Sequence, residues 1–139
     1  RIASDNSKFG VPAARLGLGY RASGLKILTD LVGPSHAKEI FFTARHFSAQ
    51  EAFGMGLMTR VVPDAELDAY VDNYCKLIGE NAPLTMHAAQ RTIEELTRLD
   101  GKPDFARLSG LVKECFDSED YKEGRTAFME KRRPVFKGR

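Results

Sequence analysis

Residues 9–33, FGVPAARLGLGYRASGLKILTDLVG, constrain the fold more than any other stretch. A proline turn leads into Gly17, Gly19 and Gly24, and an apolar helix then ends at Gly33. Glycine tolerates positive φ and carries no Cβ, so such a run predicts backbone lying close to a neighbour or a ligand. On either side the chain divides sharply. Residues 1–4 and 8–11 read as short extended segments joined by an Asp-Asn-Ser turn, and Pro12 biases Val11 away from helix. Residues 13–18 are ambiguous and bounded by glycine. The spacing of Leu25, Leu28, Leu31 and Val32 predicts a helix over 22–31 that stops at Gly33. Ser35 then caps a second helix over 36–43. Ser48 to Glu51 is a capping box opening a short helix that ends at Gly54 or Gly56, and residues 58–62 read as a strand closed by Pro63.

The remainder is helical. Leu67, Tyr70, Val71, Tyr74 and Ile78 recur at three and four, and Pro83 suits the first turn of the next helix. Phe105, Leu108, Val112, Cys115 and Phe116 form a third stripe. Ser118 caps a fourth helix, with Glu119 and Asp120 at its positive end, and Pro134 ends it. The fold class expected is therefore mainly α with a few short β segments. So few short strands do not make a stable sheet alone. That, and a start at Arg1 inside a strand, lead to the expectation of a piece of a longer protein.

Composition excludes several function classes. With 42% apolar and 29% charged residues the chain reads as globular, and its net charge of +2 is too small to imply nucleic acid. No run of about 18 apolar residues is present, so no membrane span is expected. The polar opening, RIASDNSK, reads as no secretory leader, and a cytoplasmic location is expected. Cys75 and Cys115 read as free buried thiols. His36, His46 and His87 lack metal spacing, so no metal site is expected. Neither a phosphate-binding GxGxxG nor a serine nucleophile elbow occurs. Lys131-Arg132-Arg133 supports two readings, a solvated helix end and a phosphate contact.

Three motifs in order resemble the crotonase, or enoyl-CoA hydratase/isomerase, superfamily. They are Phe9-Gly10-Val11-Pro12 with Leu16-Gly17, Gly24 and Val32-Gly33; then Ser48 to Ala52 with Gly56-Leu57 and Val61-Val62-Pro63; then Glu123-Gly124, Ala127-Phe128 and Glu130 to Pro134. The match runs over the whole chain and corresponds to the C-terminal half of such a protein. The resemblance implies residues 1–63 as the end of a ββα spiral core and 64–139 as a helical trimerisation region. It also implies an acyl-CoA thioester partner, a homotrimer or hexamer, and a preceding N-terminal half carrying both oxyanion amides. Coenzyme A belongs to the substrate, so no separate cofactor is implied.

Hydratases of this family use two glutamates. The resemblance implies that one lies upstream of this chain and that the other follows the motif proline, where Ala13 stands. Adding water to an enoyl thioester needs a base for the water and an acid for the α-carbon, and a methyl group supplies neither. No catalytic residue is therefore assigned within the chain. The acyl-CoA-binding candidates implied are Ala13, Leu18, Gly19 and Tyr20, with Phe128 and Lys131 for the adenine and phosphate end of the CoA held by a neighbouring subunit. Two functions stay open: part of an acyl-CoA enzyme that is inactive on its own, or a non-catalytic acyl-CoA-binding or oligomerisation protein of crotonase fold.

Overall fold

The computed structural model describes residues 1–97 and 101–139, in two compact units, Arg1–Asp72 and Asn73–Arg139. The first unit holds all four strands among the described residues. β1 (Ile2–Ser4) runs parallel to β4 (Arg60–Val62), with Ala3 opposite Val61. β2 (Lys8–Phe9) runs antiparallel to β3 (Phe47–Ser48), with Phe9 opposite Phe47. Arg1 ties the first pair further: its carbonyl accepts from the Thr59 and Arg60 amides, and its Nε donates to the Leu57 carbonyl at 2.7 Å. The strand expected over 58–62 starts later, because the Leu57 and Met58 amides both donate to the Ala52 carbonyl and turn the chain there.

Between the strands lie α1 (Ala13–Leu16), α2 (Ala22–Thr43) and α3 (Ala49–Gly54). The two helices expected over 22–31 and 36–43 meet inside α2 at a kink. Gly33 has φ 78° and ψ 161°, which no helix accepts, and Pro34 cannot donate the hydrogen bond that would straighten it. The capping box at Ser48 forms in full: Ser48 Oγ accepts from the Glu51 amide at 3.2 Å, and Glu51 accepts from the Ser48 amide at 2.8 Å. The core is small: Val32, Ala37, Ile40 and Phe47, flanked by Val11, Leu28, Leu31, Met55 and Leu57.

Arg45 joins the end of α2 to the start of α3. Its guanidinium lies 3.8 Å above the ring of buried Phe47 and bonds Glu39 at 3.0 Å and Glu51 at 2.8 Å. These bonds raise its pKa. Glu51 is held below the usual carboxylate range, first by the Ser48 amide and then by Arg45. The close backbone approach expected at Gly17, Gly19 and Gly24 is found instead at Gly10. A Cβ there would meet the Arg45 carbonyl oxygen at 2.8 Å, whereas one at the other three would meet nothing within 4 Å.

α4 (Leu67–Gly79) carries the chain from one unit to the other. The second unit is built from α5 (Pro83–Leu96), α6 (Phe105–Asp117) and α7 (Glu119–Met129). Pro83 takes the first helical position of α5, and Asp104 caps α6 by accepting from the Arg107 amide at 2.9 Å. Ser118 serves two helices: its hydroxyl donates to the Cys115 carbonyl and accepts from the Tyr121 amide at 3.0 Å. The apolar core of this unit is thin, with only Ala88, Leu108 and Ala127 buried among the described residues. Cys75 is exposed and Cys115 half-buried, both free, so the expectation of two buried thiols is corrected. They sit on stripes whose outer rows lie open, as do Ile93 (61% exposed) and Phe105 (66%). No helix among the described residues is long and apolar enough to cross a membrane.

Two outcomes follow. Replacing Gly10 by Ala forces the Arg45 carbonyl aside, and urea melts should show a loss of about 1–3 kcal/mol. Unchanged stability would contradict this packing. The open apolar rows also make the chain self-associate at micromolar concentration. Sedimentation of a compact, monodisperse monomer would refute that.

Candidate functional site

The residues singled out in sequence fall into two groups, one in each unit. In the first, Pro12 starts α1 and Gly17, at φ 64°, ends it. The Ala13 carbonyl accepts from both the Gly17 and Leu18 amides, the latter at 3.1 Å. These two hydrogen bonds to one acceptor fix the turn, and Ala13 itself is buried at 3% exposure. Leu18, Gly19 and Tyr20 continue outward and are exposed. Tyr20 packs edge-on against Phe41, ring centroids 5.0 Å apart. Arg21 then gives its carbonyl to the Gly24 and Leu25 amides and starts α2. The result is a backbone-braced turn that presents apolar side chains to solvent. It holds no proton-transferring group at position 13.

In the second unit, Phe128 is 83% exposed on α7, and Lys131 follows beyond the helix end. Helix α7 stops at Met129, well before Pro134, because the chain reverses at Lys131 with φ 54°. The basic run is therefore not one solvated helix end. Arg132 is committed: its guanidinium forks onto Glu123 at 2.6 and 2.9 Å and reaches Glu130 at 2.6 Å. Arg133 stands 3.6 Å from Glu80. The Lys131 ammonium makes no hydrogen bond or ion pair with any described residue.

Sequence reasoning missed the clasp that follows. Glu123 also accepts from the Val135 amide at 2.8 Å. Buried Asp120 accepts from the Lys137 and Gly138 amides, each at 2.7 Å, while its own amide donates to the Arg139 carbonyl. The tail is thus laced along α7, with Phe136 against Gly124. The available signal was an acidic pair one helical turn apart facing a basic tail. Beside the clasp, α5, α6 and α7 line an apolar groove of about 850 Å³ that includes Ala88, Ile93, Val112, Phe116, Tyr121 and Phe128.

His36, His46 and His87 are all exposed, and no group of three metal-ligating side chains occurs among the described residues.

The Arg132 guanidinium and the Val135 amide hold the Glu123 carboxyl at about 2, below its ordinary 4.5, and Glu123 in turn raises Arg132. A depressed carboxylate pKa adds stability that is fully present above the unfolded value and lost as pH falls through the folded one. The clasp should therefore hold from neutrality to about pH 4.5 and open as pH falls toward 2. The Val135 amide chemical shift reports this directly, and a Glu123 midpoint near 4.5 would contradict it.

Comparison with known proteins places these features in context. The enoyl-CoA hydratase/isomerase family profile matches residues 1–139. The chain is 37% identical over 133 residues to a short-chain-enoyl-CoA hydratase of Clostridium acetobutylicum, covering 96% of this chain and 51% of that protein. It is 34% identical over 139 residues to the methylmalonyl-CoA decarboxylase of Escherichia coli, covering 99% and 53%. A crystal structure of an enoyl-CoA hydratase/isomerase family protein from Hyphomonas neptunium superposes with a TM-score of 0.90 at 33% identity, over 100% of this chain and 53% of that one. The chain spans about half the length of these relatives.

Proposed function

The chain belongs to the enoyl-CoA hydratase/isomerase family, and from that premise we propose that it serves as the C-terminal half of a cytoplasmic crotonase-fold protein that binds acyl-CoA thioesters. The preceding half supplies the two amides that stabilise an enolate-like anion. The exposed Leu18-Gly19-Tyr20 turn lines the acyl side, and Phe128 with Lys131 meets the adenine and phosphate end. The working assembly is a homotrimer or a hexamer, in which the open helix faces of α4 to α7 are covered. The chain alone does not turn over substrate.

Ala13 carries the reading of the chemistry. Its methyl is buried at the start of α1, where a two-glutamate hydratase needs a carboxylate. Proton transfer to and from the enoyl carbons then has no agent at this position. The relatives are named for hydration and for decarboxylation, and a shared fold does not fix the reaction. Enolate chemistry other than two-glutamate hydration is the function this site supports best. Ala13 equally favours the second reading, a crotonase fold that binds acyl-CoA without turnover.

Titration calorimetry of the intact polypeptide with crotonyl-CoA tests the common part of both. Saturable binding is expected, at one thioester per protomer, and stronger than for crotonic acid alone. The absence of any saturable heat, with no protection of Leu18 or Tyr20 from hydrogen exchange or labelling, would overturn the assignment.

A further inference from the structure

Helix α7 ends in a way that glycine usually serves. The Lys131 amide donates to the Phe128 carbonyl at 3.2 Å, and the Arg132 amide donates to the Ala127 carbonyl at 3.0 Å. These two bonds form a Schellman turn, whose reversing residue takes left-handed φ and is most often Gly. Here that residue is Lys131, at φ 54°. A lysine forced into this region stores strain, which persists only where the surroundings over-determine it. The surroundings do so. Arg132, the next residue, is forked bidentately onto Glu123 and bonded to Glu130, and the Val135 amide closes on Glu123 from the other side.

Charge tells the same story. Glu123 and Glu130 are the acidic side chains gathered at this turn, and Arg132 engages both. Lys131 is left exposed and unpaired, three residues from exposed Phe128. An aromatic face with an unpaired ammonium suits a nucleotide carrying phosphate. A strained backbone, an occupied clamp and an idle cation coincide at one turn.

We propose that Glu123 and Arg132 are positioning residues: they hold Lys131 in the left-handed turn and neutralise the carboxylates beside it, so that its ammonium is presented to the phosphate of an adenine nucleotide whose ring lies on Phe128. This rests on the acyl-CoA reading given above. It adds that the affinity for the nucleotide end is set by residues that do not touch the ligand. The lysine is kept at a position where glycine would fold better.

The test uses the intact polypeptide and adenosine 3′,5′-bisphosphate, with thermal melts alongside. Lys131→Gly relieves the strained φ, so the melting temperature rises by roughly 3 °C while affinity falls about tenfold. Glu123→Gln is decisive through its sign. Removing a negative charge near a phosphate would tighten binding if only the field mattered. Loss of the clamp instead weakens binding by roughly threefold to tenfold. Arg132→Lys keeps the charge but not the fork, so it does not restore wild-type affinity. Adenosine, which has no phosphate, binds all variants alike. If Lys131→Gly weakens binding but Glu123→Gln leaves it unchanged or tighter, the positioning role is refuted and Lys131 stands as a ligand. If Lys131→Gly binds the bisphosphate as the wild type does, the nucleotide assignment itself falls.

Discussion

Among the described residues each strand has a single hydrogen-bonded neighbour, and an isolated two-stranded pair is marginal in water. The structure therefore depends on burying helix faces, and it buries few of them internally. Among the described residues Phe47 is the one large side chain sealed off completely, while Phe42, Ile27, Phe105 and Phe128 stand well exposed. Apolar rows of that size are rare on a protein surface unless something covers them. The same constraint explains why local devices carry so much of the order. A capping box, single side-chain caps, a glycine kink and charged clamps fix what a large core would otherwise fix.

Two such clamps are built alike. In the first unit Arg45 stacks on Phe47 and joins Glu39 to Glu51, so the end of α2 and the start of α3 share one cation. In the second, Arg132 joins Glu123 to Glu130 and fastens the tail to α7. Exposed ion pairs contribute little singly, and bidentate, networked ones contribute more. Their geometric effect matters more here than their energy. The first is formed by the residue whose carbonyl lies against Gly10, three positions before Ala13 in the chain. The second sets the turn that carries Lys131.

Much of this was readable from sequence wherever the signal is local. Ser48 and Glu51, Ser118, Pro83 and Gly33 each announced a cap, a start or a break, and each does in space what its chemistry dictates. The mainly helical class with a few short strands was equally legible. What could not be read depends on residues distant in the chain or on exceptions to a preference. The Asp120 and Glu123 clasp pairs residues up to 19 positions apart, and the close approach at Gly10 depends on Arg45. Lys131 occupies a left-handed position where sequence rules expect Gly, so a continuous helix was anticipated up to Pro134. Of the candidate site, the resemblance named Ala13, Leu18, Gly19 and Tyr20 as binding candidates. It could not say that the first is buried and the others are open.

The chemical account turns on Ala13. A thioester held beside two oxyanion amides is activated for reaction at its α-carbon, but the group that moves the proton decides the outcome. In the proposed reading, a buried methyl where two-glutamate hydration needs a carboxylate leaves the scaffold with binding and enolate stabilisation. The most direct measurement is the steady-state hydration of crotonyl-CoA by the intact polypeptide, followed by loss of the enoyl absorbance. The account predicts no hydration above the uncatalysed background. Turnover on the order of 10 per second, an ordinary enzymatic rate, would contradict it and require another group to do the work of the missing glutamate.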